Sequence, residues 1–271
     1  MNSTWLEFLI ETDYSNPTAF GLLALGLFVI IMGRYVLMAG LFYLYFYEWD
    51  ADTWNDRKLS TKPRPTGQVR KEIQWSAINS AIFAVVGALG VVAFQQGYTA
   101  VYTDIQAYPL WYVPLSLGLS LFLHETYYYW LHRLMHQPRL YRLVHQVHHD
   151  SLTSSPWTSF SFHPVEGLLE AIILPVIVMV LPLHTSVIAA QLTLMILSAT
   201  INHLDIEIFP KNWLGTRIGR FFIGATHHSL HHRQFRFNYG LYFTFWDKWG
   251  KTESPLFRKE FDNRKRIENR G

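Results

Sequence analysis

The chain has 271 residues, half of them hydrophobic and 16% aromatic, with a formal charge of +3. That length suits one domain, and apolar residues gathered in blocks point to a membrane protein. The absence of cysteine excludes disulfides and thiolate metal sites, and with no Lys/Arg-rich arm interleaved with aromatics, nucleic acid is not an expected partner.

The start, MNSTWLEFLIETDY, is acidic and has no basic segment, so no cleaved signal peptide is expected. The first apolar block, residues 18–47, is interrupted only by Arg34. As a helix it would be about 45 Å long against a hydrocarbon core of about 30 Å, so one tilted crossing is expected. Arg34 would snorkel near its inner end, and Tyr43, Tyr45, Tyr47 and Trp49 would form an interfacial belt. A polar loop over residues 48–72 follows, with Pro63, Pro65 and Gly67. Further crossings fit residues 73–94 and 110–131. The last block, residues 168–201, is broken at Pro182 and makes a hairpin of two shorter legs, 168–181 and 183–201.

The expected fold is therefore all-α, with about four transmembrane helices. Charge supports this topology. Of 23 Lys and Arg residues, only Arg34 lies inside a crossing. With the N-terminus outside, the other basic residues fall on one side, in the loop from Arg57 to Lys71, at Arg133, Arg139 and Arg142, and from Lys211 onward. The histidine clusters fall on that same inner side, as a helical cap. The segment after Glu253 reads as a charged, solvated tail.

The chemistry lies in the histidines. His132 and His136 form His-x-x-x-His; His145, His148 and His149 form His-x-x-His-His; His228, His231 and His232 repeat the second pattern. On a helix, side chains at i and i+3 or i+4 share a face, so each group can converge on a metal. Adjacent His148 and His149 point in different directions, which suits two metals. His203, at the inner end of the hairpin, could close the shell. Nine imidazoles exceed what one metal needs, and imidazole suits iron, zinc, copper or nickel rather than magnesium or calcium. His163 and His227 are read as a ligand or as a donor that orients one. His184, in the outer turn, is read as structural, and Tyr127, Tyr128 and Tyr129 as packing residues. Glu125, two turns before His132 and inside a crossing, is expected to hydrogen-bond a ligand imidazole, the alternative being an ion pair with a residue such as Arg34. Asn238, Tyr239 and Trp246 either shape a lipid's approach or cap and pack the tail, and Glu125 and Asn238 are the candidate catalytic side chains.

The stretches HRLMHQPRLYRLVHQVHH, SFHPVEG and THHSLHHRQFRFNYGLYFTFWDKWG, with Gln68 to Glu72, resemble the sterol desaturase/fatty acid hydroxylase superfamily. Within it they are most similar to sterol C-5 desaturases (lathosterol oxidases). The likeness covers roughly residues 66–250. It implies one membrane domain, with crossings and loop over 1–109, a catalytic region over 110–250 and a tail over 251–271. It further implies a four-helix anchor and a cytoplasmic centre of two iron ions, which zinc can replace in a purified sample. The oxidant would be O2 and the electrons would come from a cytochrome b5-like protein or a ferredoxin. Carried over by motif, the ligands are His132, His136, His145, His148, His149, His203, His228, His231 and His232. Ala199 stands where fatty acid hydroxylases have a further histidine, so a tenth ligand is missing or is supplied by His163, Asn202 or water. The resemblance implies desaturation of a sterol-like lipid in a bacterial inner membrane or the endoplasmic reticulum. Its rivals are lipid hydroxylation at the same site and a non-catalytic metal-binding or transport protein.

Overall fold

A computed structural model describes residues 12–263. Most of the opening acidic stretch and the last charged residues, 264–271, lie outside the described residues. The described chain is helix and connecting loop, with three isolated bridges and no strand. Five long helices carry it: α1 (Pro17–Tyr43), α2 (Gln68–Gln95), α3 (Tyr112–Met135), α4 (Pro164–Val180) and α5 (Thr185–Asn202). A shorter helix, α6 (Ala225–Gln234), follows.

The helix starts are locally encoded. Asn16 caps α1, its Oδ1 accepting from Thr18 N at 2.9 Å and Ala19 N at 3.3 Å, with Pro17 at the first helical position. His163 and His184 cap α4 and α5 in the same way, each ring Nδ1 accepting from the amide two residues on. His184 Nε2 also meets Thr103 O at 3.1 Å, tying the loop before α3 to the α4–α5 turn. Past Tyr43, α1 continues as a wider π-helical turn, Leu44–Trp49.

Pro17–Trp49, Gln68–Gln95 and Thr185–Asn202 are long and apolar enough to cross a membrane. The expected third crossing forms as α3 but is not among them. Ser116, Ser120, His124 and Glu125 interrupt its apolar run, and all four side chains are buried. α4, at 17 residues, is also not among them. The chain is an integral membrane protein.

α1 packs along α2, α2 along α4, α4 along α3, α3 along α5, and α5 back along α1, so the five helices close on themselves. The short turn Pro156–Phe160 is packed among α1, α2 and α5. Tyr35 of α1 donates to Trp157 O at 2.8 Å and stacks on Phe160. Glu72 of α2 accepts from Ser155 Oγ at 3.1 Å and Thr158 Oγ1 at 2.9 Å. Polar residues at the inner end of α2 thus position the loop between the second histidine group and α4. The expected solvated tail is docked where it is described. Phe257 and Phe261 are buried against Leu214 and Leu230, because their spacing puts both rings on one face of the helix Phe257–Asn263.

α2 and α4 come close at Gly167, where a β-carbon would collide with Asn79 Oδ1. Asn79 Nδ2 holds the same loop through Phe162 O at 2.8 Å and Phe160 O at 3.3 Å. Gly167→Val is expected to cost about 1–3 kcal/mol by displacing Asn79. Thermal unfolding in detergent measures this, and an unchanged midpoint would contradict the close approach.

Candidate metal centre

The last two turns of α3 carry His132 and His136. After a short turn the chain re-enters a π-helical turn, Tyr141–His145, and a helix, Gln146–His149, bearing His145, His148 and His149. His203 follows the last turn of α5. α6 supplies His228, His231 and His232; its first turn is held by Glu207, whose Oε2 accepts from Thr226 N at 2.9 Å and Thr226 Oγ1 at 2.6 Å.

All nine imidazoles come together, in two groups. His132, His136, His145, His149 and His231 form one; His148, His203, His228 and His232 form the other, with each group's donor atoms within 4.8 Å of one another. His148 and His149 fall in different groups, as do His231 and its neighbours His228 and His232.

Ring orientation defines the chemistry. His132 Nδ1 lies 2.9 Å from Tyr239 O, His148 Nδ1 3.2 Å from Ser161 O, His203 Nδ1 2.7 Å from Ala199 O, and His231 Nδ1 2.8 Å from Phe237 O. His145 Nδ1 lies 2.6 Å from Glu166 Oε1. A ring nitrogen facing a carbonyl or carboxylate must carry the proton, which leaves Nε2 as a bare lone pair. Within this set His132 Nε2 meets His145 Nε2 at 3.1 Å and His203 Nε2 meets His148 Nε2 at 3.2 Å, and the rings of His228 and His149, whose Nδ1 atoms have no partner, bring Nε2 to 2.9 Å from His203 and 3.2 Å from His231. Lone pairs facing one another at that distance repel unless a cation lies between them. The donor set therefore fits two nitrogen-ligated transition metals, and tethered Nδ1–H groups are the usual device for orienting ligating imidazoles.

Burial keeps the rings neutral. Desolvation, reinforced by neighbouring imidazoles, holds His145, His148, His149, His228, His231 and His232 well below the ordinary value, and His136 falls to about 2. Desolvation brings His203 to about 4.

The remaining candidates lie elsewhere. His163 caps α4 and belongs to neither group. Asn202 donates to Leu241 O at 2.8 Å. His227 points away from both groups, toward Phe257 and Asp247, with its Nε2 3.7 Å from Asp247 Oδ2. Glu125 does not reach an imidazole or Arg34. Its carboxylate accepts from Leu241 N at 3.0 Å and Tyr242 N at 2.8 Å, because residues 237–242 pass directly over it. Gly240 permits that approach, since a β-carbon there would lie 2.8 Å from Glu125 Oε1. Asn238, at φ +63°, donates to His227 O and accepts from Ser254 N, each at 2.7 Å.

The strap 237–242 links these residues to the metal groups. Its carbonyls at 237 and 239 receive His231 and His132. Its amides at 239 and 240 are held by Asp247 at 2.9 and 3.0 Å, and those at 241 and 242 by Glu125. Sequence reasoning missed Glu166, Glu207 and Asp247. Glu166 carried a signal, an acid in the first turn of an apolar helix; Asp247 carried none.

A family model described as fatty acid hydroxylase matches residues 117–252. The Delta(7)-sterol 5(6)-desaturase of Gibberella zeae is 30% identical over 224 residues, 82% of this chain and 65% of that protein. The lathosterol oxidase of Rattus norvegicus is 32% identical over 232 residues, 83% of this chain and 73% of that protein. A Delta(7)-sterol 5(6)-desaturase of Aspergillus fumigatus is 28% identical over 243 residues, 88% of this chain and 65% of its own length. The chain thus spans about two thirds of the fungal relatives. No solved structure matches. Fold and site define a helical membrane protein with a polyhistidine centre able to hold metal. The chain belongs to the fatty acid hydroxylase family, in the sterol desaturase/fatty acid hydroxylase superfamily, and so to the oxidoreductases.

Two expectations follow. Glu125→Ala or Asp247→Ala frees two strap amides, and is expected to cost about 1–3 kcal/mol and to weaken metal retention about 10–100-fold. Metal content after dialysis against a chelator measures this; full retention in both variants would disconnect the strap from the ligands. The second concerns acidity. Folded-state histidine values lie below the unfolded value of about 6.5, so the unfolded chain binds more protons. With metal removed, stability is therefore full above about pH 6.5 and is lost as pH falls toward the folded values. Unfolding midpoints of the chelated protein on either side of that pH test the sign, and a midpoint that rises on acidification would refute it.

Proposed function

We propose that this chain is an O2-dependent lipid desaturase acting on a sterol-like substrate, with two iron ions as its resident metals. The observation that carries the reading is the pair of imidazole groups with Nε2 converging, five of the nine rings tethered through Nδ1, at one end of a ring of apolar helices. When bound, iron supplies reductive activation of O2 for removal of hydrogen from an unactivated C–H bond. His132, His136, His145, His149 and His231 would hold one ion, and His148, His203, His228 and His232 the other. Glu166 and the strap carbonyls fix the rings so that the donor set survives a change of oxidation state. Burial of every ring but those at the rim excludes water from the reacting atoms.

The names of the relatives, Delta(7)-sterol 5(6)-desaturase and lathosterol oxidase, support a sterol-like substrate. So does a set of buried polar atoms without a partner: Glu166 Oε2, on the residue that meets His145, with Glu170 Oε1, both ring nitrogens of His124, Gln191 Nε2 and Tyr242 hydroxyl. Buried polar groups are almost always paired, and a substrate hydroxyl with ordered water would pair these. Electrons would come from a cytochrome b5-like protein or a ferredoxin. The basic residues gathered on one side support a cytoplasmic centre, in the endoplasmic reticulum or a bacterial inner membrane.

Hydroxylation by the same site is the second reading, favoured by the description of the matching family. Lipid mass spectrometry separates the two. Total lipids from a sterol-producing host expressing the chain are compared with those from a host expressing His148→Ala with His149→Ala. A species lighter by two hydrogens, absent from the control, is the expected result. A species heavier by one oxygen would replace desaturation with hydroxylation, and identical lipid profiles with a reductase and electron carrier co-expressed would refute both.

A further inference from the structure

α3 carries its own depth markers. Tyr108, Leu110 and Trp111 are exposed at its start, and near its other end Trp130 is exposed with the Arg133 guanidinium 5.6 Å over its ring. Aromatic residues with a neighbouring cation mark a membrane–water boundary. From Tyr112 to Trp130 the helix rises roughly 27 Å, close to the hydrocarbon thickness of about 30 Å. Phe122, eight residues before Trp130, therefore lies about 12 Å inside that boundary.

Part of the metal-bearing cap reaches this depth: residues 216–222, which lie outside any helix, and the short helix Phe245–Trp249. Phe245 stacks on Phe122 at 5.6 Å, and Phe221 stacks on Phe245 at 5.8 Å. Phe243 contacts both Phe221 and Phe222, at 4.8 and 5.5 Å. Nearer the boundary, Trp246 Nε1 donates to Thr126 Oγ1 at 3.0 Å and its ring lies 5.7 Å from that of Trp130. The outward side is apolar and uncovered: Ile218 is 62% exposed, Trp249 65%, Phe221 44% and Phe222 40%. It is continuous, through Phe122, with the exposed Leu115, Leu119 and Leu123 of α3.

Irregular backbone survives in hydrocarbon only if its polar groups are paired internally. Here Gly219 N donates to Thr216 Oγ1 at 2.8 Å, Arg220 N to Thr216 O at 3.3 Å, and Phe221 N to Ile218 O at 2.9 Å. Ile223 N donates to Tyr242 O at 3.0 Å and Thr244 N to Phe221 O at 2.9 Å. Arg220 O accepts from Thr244 Oγ1 and from Lys248 Nζ. Arg217 and Arg220 are exposed beside the apolar residues, cations suited to lipid phosphate.

We propose that residues 216–222, with Phe243, Phe245 and Trp249, form a wedge seated among the acyl chains of the leaflet next to the polyhistidine centre. Arg217 and Arg220 contact the phosphates of that leaflet. The wedge leads directly into α6, so the helix that serves both metal groups is anchored in lipid. The inference rests on α3 lying across the membrane beside α1, α2 and α5, which are long and apolar enough to cross it, and is independent of the reaction catalysed.

The chain has no cysteine, so one introduced thiol is unique. Ile218→Cys, Phe222→Cys and Trp249→Cys are each labelled with an environment-sensitive maleimide dye in full-length, metal-loaded protein. The proteins are placed in nanodiscs of phosphatidylcholine and phosphatidylglycerol, with or without brominated acyl chains. Leu25→Cys on the exposed face of α1 is the lipid-facing reference and Arg139→Cys the solvent-facing one. The labels at 218 and 222 are expected to be quenched as strongly as that at 25, and the label at 249 to an intermediate degree. Quenching at 218 and 222 no greater than at 139, in protein that is monodisperse and retains its metal, would overturn the wedge. Replacing Phe222 in this way could loosen the segment; a dye at 218 alone, with native aromatics retained, then decides between the same two outcomes.

Discussion

Everything in this structure that concerns chemistry depends on imidazole nitrogens being held with their lone pairs toward one another. Left alone, such a cluster would rotate its rings or take up protons. Both escapes are opposed. In five of the nine rings, rotation would break the Nδ1–H bonds to Ser161, Ala199, Phe237, Tyr239 and Glu166. Protonation would place charge in a desolvated, imidazole-lined interior. What remains is a strong preference for a cation, built without any carboxylate in either donor group. A neutral ligand set leaves the full metal charge in place, in contrast to carboxylate-rich sites that neutralise it.

The helical ring serves this arrangement by taking over its polar costs. Glu72, Gln68 and Asn79 on α2 pin the loop after the second histidine group, and Glu207 pins the start of α6. Glu125 and Asp247 divide the amides of one strap between them. Buried acids and amides in this protein thus act mostly on backbone, and backbone in turn acts on the imidazoles. The pattern explains why α3 carries Glu125 through an otherwise largely apolar helix.

The grouping of the histidines was legible in the sequence because it follows helix periodicity: His132 with His136, and His148 apart from His149, are consequences of 3.6 residues per turn. The outlines of α1, α2 and the hairpin were legible from apolar blocks and the break at Pro182, but α2 begins at Gln68 and α4 at Pro164, four or five residues before the apolar blocks, because polar residues make their first turns. The partners of the acids were not legible. Glu125 meets amides more than a hundred positions away, and nothing in a one-dimensional pattern distinguishes an amide donor from an imidazole donor. Phe257 and Phe261 were hidden among charges, so a docked helix read as a solvated tail.

α6 contributes to both groups, His231 to one and His228 with His232 to the other. The donor sets are complete only once residues 231 and 232 of 271 have been synthesised. The earlier helices therefore carry six of the nine rings still waiting for their last neighbours. Completion of both donor sets is in that sense a late step in the life of the chain, since a chain ending before α6 would lack one ligand of the first group and two of the second.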